Sequence, residues 1–131
     1  MDPIDPGKVR RLLFCSGKVY YDLLVARRER DIDDIAIIRV EQLYPFPEAE
    51  IRAGLEPYAA AREIYWVQEE PWNMGAWHDM SRRLRRILPA DRPLQYAGRV
   101  AAASPATGSY KVHQSEGTDL INTALRKSHG H

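Results

Sequence analysis

The sequence holds little that would mark it for export, membranes or metal. Its one cysteine, Cys15, allows no internal disulfide and no cysteine-based metal knuckle. No apolar run approaches the roughly 20 residues that span a bilayer. The opening MDPIDPG has neither the basic start nor the apolar stretch of a secretory signal. Charge is nearly balanced, with a formal net charge of +1, so there is no global pull toward nucleic acid or an anionic membrane surface. There is no Walker or GxGxxG spacing, and His78, His113, His129 and His131 form no ligand set. Internal repeats and low-complexity tracts are absent too. These absences lead us to expect a cytoplasmic domain without nucleic-acid or membrane partners.

What is present suits one folded unit. At 131 residues, 44% of them hydrophobic, the chain is long enough for a single core and too short for two. We expect a flexible lead-in over 1–8, one α/β domain over 9–127 and a frayed tail over 128–131.

Residues 63–77 organise the rest. Ile64-Tyr65-Trp66-Val67 has strand length and β-favouring composition. Two acids and Pro71 follow, and proline resists continuation as an interior strand. Beyond Gly75, Ala76, Met80, Leu84 and Leu88 fall four apart on one helical face. The same strand–loop–helix unit recurs along the chain. Residues 10–15 (RRLLFC) form a first strand, with Ser16 as the N-cap of a helix whose apolar face carries Val19, Leu23 and Ala26. Residues 35–40 (IAIIRV) form a second, and Pro47 opens a helix carrying Ile51 and Leu55. Residues 94–97 form a fourth strand, followed by a long connection over 98–114. A last helix from about Thr118 presents Leu120, Ile121, Ala124 and Leu125.

Alternating strands and helices imply an α/β domain with a mainly parallel sheet. The loops over 15–18, 41–47, 68–75 and 98–114 then leave one common edge, where open α/β folds bind ligands. Ser16-Gly17-Lys18 on that edge is read two ways, as an anion site at a helix start or as a bare capping turn. Arg99 and Ser104 either complete that site or, for Arg99, pair with Glu69 or Glu70 to fix the loops. Glu69 and Glu70 are adjacent in extended chain and point to opposite faces, which disfavours joint acid/base work. We assign them, with Trp72, Trp77 and His113, to an interface. Arg82, Arg83, Arg85 and Arg86 read as a solvated helix face.

Motifs spread over residues 9–125 resemble one family. Cys15–Leu23 (CSGKVYYDL), Ile37–Pro47 (IIRVEQLYPFP), Trp66–Trp77 (WVQEEPWNMGAW), Tyr96–Arg99 (YAGR), Ala103–Gly108 (ASPATG) and Val112–Gln114 (VHQ) occur in the order seen in the C-terminal domain of 2-oxoglutarate dehydrogenase E1 components. The resemblance implies a transketolase C-terminal-like fold, a three-layer α/β/α sandwich that also carries an antiparallel strand. It further implies a parent enzyme that uses thiamine diphosphate and magnesium for oxidative decarboxylation of 2-oxoglutarate. That parent passes a succinyl group to a lipoyl group of the E2 succinyltransferase and works as a dimer in the tricarboxylic acid cycle.

On this reading the remaining E1 domains and a second E1 subunit are partners, and AMP or acetyl-CoA is a candidate effector. The GDG…N pattern of the family's diphosphate and magnesium site is missing from these residues. We therefore expect no catalytic residue, no bound cofactor and no bound metal in this chain. Two other functions compete with that of a structural and regulatory E1 domain. One is a stand-alone nucleotide- or anion-binding module, and the other an interaction adaptor.

Overall fold

A computed structural model describes residues 5–41, 46–71, 76–99 and 120–126. Strands β1 (Arg11–Cys15), β2 (Ile35–Arg39), β3 (Glu63–Pro71) and β4 (Leu94–Arg99) alternate with helices α1 (Val19–Glu29), α2 (Glu48–Leu55) and α3 (Trp77–Ile87). A further helical stretch covers 120–125. Every strand pair among the described residues is parallel, in the order β2-β1-β3-β4. The α/β expectation holds. The antiparallel strand implied by the family resemblance is not found among the described residues.

Strand β1 is buried at all five positions because it has a strand on each side and helices on both faces. Its alternation feeds two cores. Leu12 and Phe14 join Ala36, Ile64, Trp66 and Leu94 on one face, covered by Ile51 of α2 and by Met80 and Leu84 of α3. Leu13 and Cys15 join Ile35, Tyr65, Val67 and Ala97 on the other, covered by Val19 and Leu23 of α1 and by Leu120, Ala124 and Leu125. Burial of each such large side chain contributes roughly 1.5–3 kcal/mol, so the two cores dominate the favourable side of folding.

Two local expectations need correction. Strand β3 does not stop at Val67 but runs on to Pro71, and β4 runs on to Arg99. Proline is tolerated here because it is the last residue of the strand, where no further ladder donor is needed. Between the Val67–Ala97 and Pro71–Arg99 pairs, β3 advances four residues while β4 advances two. That irregularity carries the polar residues Gln68–Glu70 out of the regular ladder. The second correction is at α1, where Lys18 rather than Ser16 occupies the cap and no side chain caps the helix. The turn there is made instead by Gly17 at φ +77°, which only glycine adopts without strain. Arg27, in the last turn of α1, is buried and donates to Ile35 O at 3.1 Å.

At the opposite, N-terminal edge of the sheet lies an arginine cluster. Parallel register places Arg11 of β1 beside Glu63 of β3. The Arg11 side chain is fully buried; its Nη2 donates to both Glu63 oxygens at 3.2 and 3.3 Å and its Nη1 to Ala124 O at 2.8 Å. Its guanidinium also lies 5.0 Å from the Tyr65 ring centroid. Burial pushes the Arg11 pKa below the ordinary arginine value, against the opposing charge of Glu63. Arg10 adds bonds to Asp34 at 2.7 Å, Glu63 at 3.0 Å and Arg126 O at 3.1 Å. Arg30 donates to the Asn122 side chain at 2.8 Å. The last helical stretch therefore ends with two of its orphan carbonyl groups facing cations, a favourable arrangement at a helix C-terminus.

Arg11→Met is expected to lower unfolding free energy by about 1–3 kcal/mol, because Ala124 O loses its buried donor while Glu63 keeps Arg10. Denaturant unfolding measures this. Gly98 supplies a second test. A Cβ there would stand 2.4 Å from Tyr96 Oη and 2.8 Å from the Gln68 carbonyl oxygen. Gly98→Ala should cost about 1–3 kcal/mol. Gly54→Ala, in α2 with its nearest contact at 3.8 Å, should instead be neutral or stabilising by up to about 1 kcal/mol in the same assay.

Candidate functional site

The chain leaves β1 toward β2 on one side, then returns past β1 to place β3 on the other. Helix α1 covers one face and α2 the opposite one, so the strand order reverses between β1 and β3. Doubly wound sheets open a crevice at such a switch point. Here the turn after β1 and the extended end of β3 flank that point.

Gly17 turns the chain sharply out of β1, and nothing lies within 4 Å of where its Cβ would be. Tyr21 N donates to Lys18 O at 3.0 Å as α1 begins. Lys18 then reaches across the switch point, with Nζ 3.4 Å from Glu69 Oε2. Its side chain is 79% exposed against 32% for Glu69, so water screens the pair and its contribution to stability is about 0–1 kcal/mol. This contact fixes direction more than it adds stability.

On the β2 side, Arg39 Nη1 donates to Tyr21 Oη at 3.1 Å, and its guanidinium lies 5.7 and 5.2 Å from the Tyr20 and Tyr21 ring centroids. Glu41 approaches the same guanidinium at 3.8 Å. Cationic groups on Lys18 and Arg39 thus stand on one edge, each with a carboxylate nearby.

On the β3 and β4 side, the buried Gln68 accepts from Trp66 Nε1 at 2.9 Å and donates from Nε2 to Glu70 O at 3.0 Å. Tyr96 Oη donates to the same Glu70 carbonyl at 3.3 Å. Burial pushes the Tyr96 hydroxyl up to about 12, so it stays protonated as a donor at neutral pH. Trp77 packs on Tyr96 with ring centroids 4.9 Å apart and lies 5.6 Å below the Arg85 guanidinium. This network holds the end of β3 in one course. Sequence reasoning placed Gln68 in a polar loop and gave Tyr96 no role. The available signal was the two-residue spacing, which puts Gln68 on the face of Trp66 and Tyr96 on that of Gly98.

Of the residues assigned from sequence, the structure brings Lys18 and Glu69 together, beside Ser16 and Gly17. Glu70 is exposed, and its backbone carbonyl takes part in the Gln68–Tyr96 network. Trp77 is half-buried against the first core. The backbone of Arg99 pairs with Pro71 at the end of β4, while its side chain lies outside the description, as do Trp72, Ser104 and His113.

Residues 2–125 match the family described as 2-oxoglutarate dehydrogenase C-terminal. The chain belongs to that family. It is 47% identical to the 2-oxoglutarate dehydrogenase E1 component of Haemophilus influenzae over 125 residues, 95% of this chain and 13% of that protein. The E1 component of Azotobacter vinelandii is 47% identical over 128 residues, 95% of this chain and 14% of its own length. That of Coxiella burnetii is 48% identical over 123 residues, covering 92% and 13% respectively. The chain therefore spans about one-seventh of the curated relatives it matches.

The turn after β1 and the end of β3 both lie within the family span. Among the described residues no group of three or more His, Cys, Asp or Glu side chains is placed to hold a metal ion. What the edge offers chemically is two cations for anionic groups and a rigid aromatic support.

Cys15 sits at the root of this edge, fully buried, with Sγ 3.9 Å from Ile38 O. Burial pushes its thiol from 9.0 up to about 12. The native thiol should react with a disulfide reagent at pH 8 far more slowly than the unfolded chain, as followed by absorbance. The unfolded thiol ionises first as pH rises, so Cys15 favours stability below about pH 9 and loses that contribution between about 9 and 12. A native labelling rate equal to the unfolded one would contradict this burial.

Proposed function

We propose that the chain is the C-terminal, non-catalytic domain of a 2-oxoglutarate dehydrogenase E1 component, a structural and regulatory part of that enzyme. The observation carrying this reading is 47% identity to E1 components across 95% of the chain. Residues 9–127 form the domain, with 1–8 as lead-in and 128–131 as tail. In the parent enzyme, 2-oxoglutarate is oxidatively decarboxylated with thiamine diphosphate and magnesium held by other domains. The succinyl group passes to the E2 succinyltransferase. This chain supports the E1 dimer and the neighbouring domains, through the edge carrying Glu69, Glu70, Trp72, Trp77 and His113, and acts in the cytoplasm.

Support for a scaffold role comes from the stiffness of that edge. Gln68 Nε2 and Tyr96 Oη both donate to the Glu70 carbonyl, so Glu69 and Glu70 are presented from a held strand end. Such preorganised groups suit contact with a neighbouring surface, since little freedom remains to be lost on docking.

A chimera tests the reading. The matched region of the Haemophilus influenzae E1 component is replaced by residues 2–125 of this chain. The chimera should dimerise and retain 2-oxoglutarate decarboxylation, while the same enzyme lacking the region should not. The 131-residue chain alone should show no decarboxylation with thiamine diphosphate and magnesium. A folded, dimeric chimera without activity would count against the family role, as would activity of the chain alone.

A second reading concerns an effector, and the Lys18–Glu69 contact at the switch point favours it. Ser16, Gly17, Lys18, Arg99 and Ser104 form the binding set for a phosphate-bearing molecule such as AMP or acetyl-CoA. Glu69 competes with the incoming anion for Lys18. Lys18→Ala should weaken effector binding to the chimera by roughly tenfold to a hundredfold, the effect of losing one charge-assisted contact. Glu69→Gln should strengthen it. Calorimetric titration with each nucleotide reads both, and unchanged affinity in the two variants would place the effector elsewhere.

A further inference from the structure

We draw no further inference here: the strongest candidate, the groove between α2 and the end of α3 lined by Ala49, Ala53, Leu55, Ala59, Ile87 and Pro89, is an apolar face and nothing in the structure shows what covers it.

Discussion

One buried cation sets conditions that the rest of the sheet satisfies. Arg11 sits in the central strand with its guanidinium removed from water, a placement that costs several kcal/mol unless its charge and donors are matched. The match comes from three parts of the chain. Glu63 arrives by the parallel register of β3, the Ala124 carbonyl by the last helical stretch, and the Tyr65 ring by the second core. Shifting β3 by one residue would send Glu63 to the other face and leave Arg11 unpaired. The ion pair therefore specifies register, while the two apolar cores supply most of the stability.

The apolar elements were plain in the sequence for simple reasons. Runs such as Leu12–Phe14 and Ile35–Ile38 have strand length, and the spacing of Met80 and Leu84 is that of a helix face, so periodicity alone locates them. What escaped was the use of polar residues inside those elements. Arg11 was given no role beyond its place in the first strand, because nothing local reveals a carboxylate more than fifty residues away. Gln68 looked like the start of a loop, because a buried amide is legible only once Trp66 and Glu70 are placed around it.

The candidate site divides along the same line. The convergence of loops at one edge followed from parallel topology, which the alternation of elements implies. The pairing of Lys18 with Glu69 did not follow, since Arg99 was an equally good cation on sequence grounds. The Lys18–Glu69 approach depends on how far β3 extends, which local sequence does not give. Pro71 misled here: a residue that forbids a central strand is compatible with its final position.

The Arg11–Ala124 hydrogen bond joins residues 113 positions apart. The central strand is the first of the four to leave the ribosome, yet its neighbours on both sides and the acceptor for its buried arginine come later. At about 5–20 residues per second, synthesis leaves β1 without a complete environment for several seconds. During that interval Arg11 remains hydrated, and its charge disfavours premature burial of β1 in wrong company. Until Glu63 and the Ala124 carbonyl arrive, that unmatched charge opposes burial of the strand that carries it.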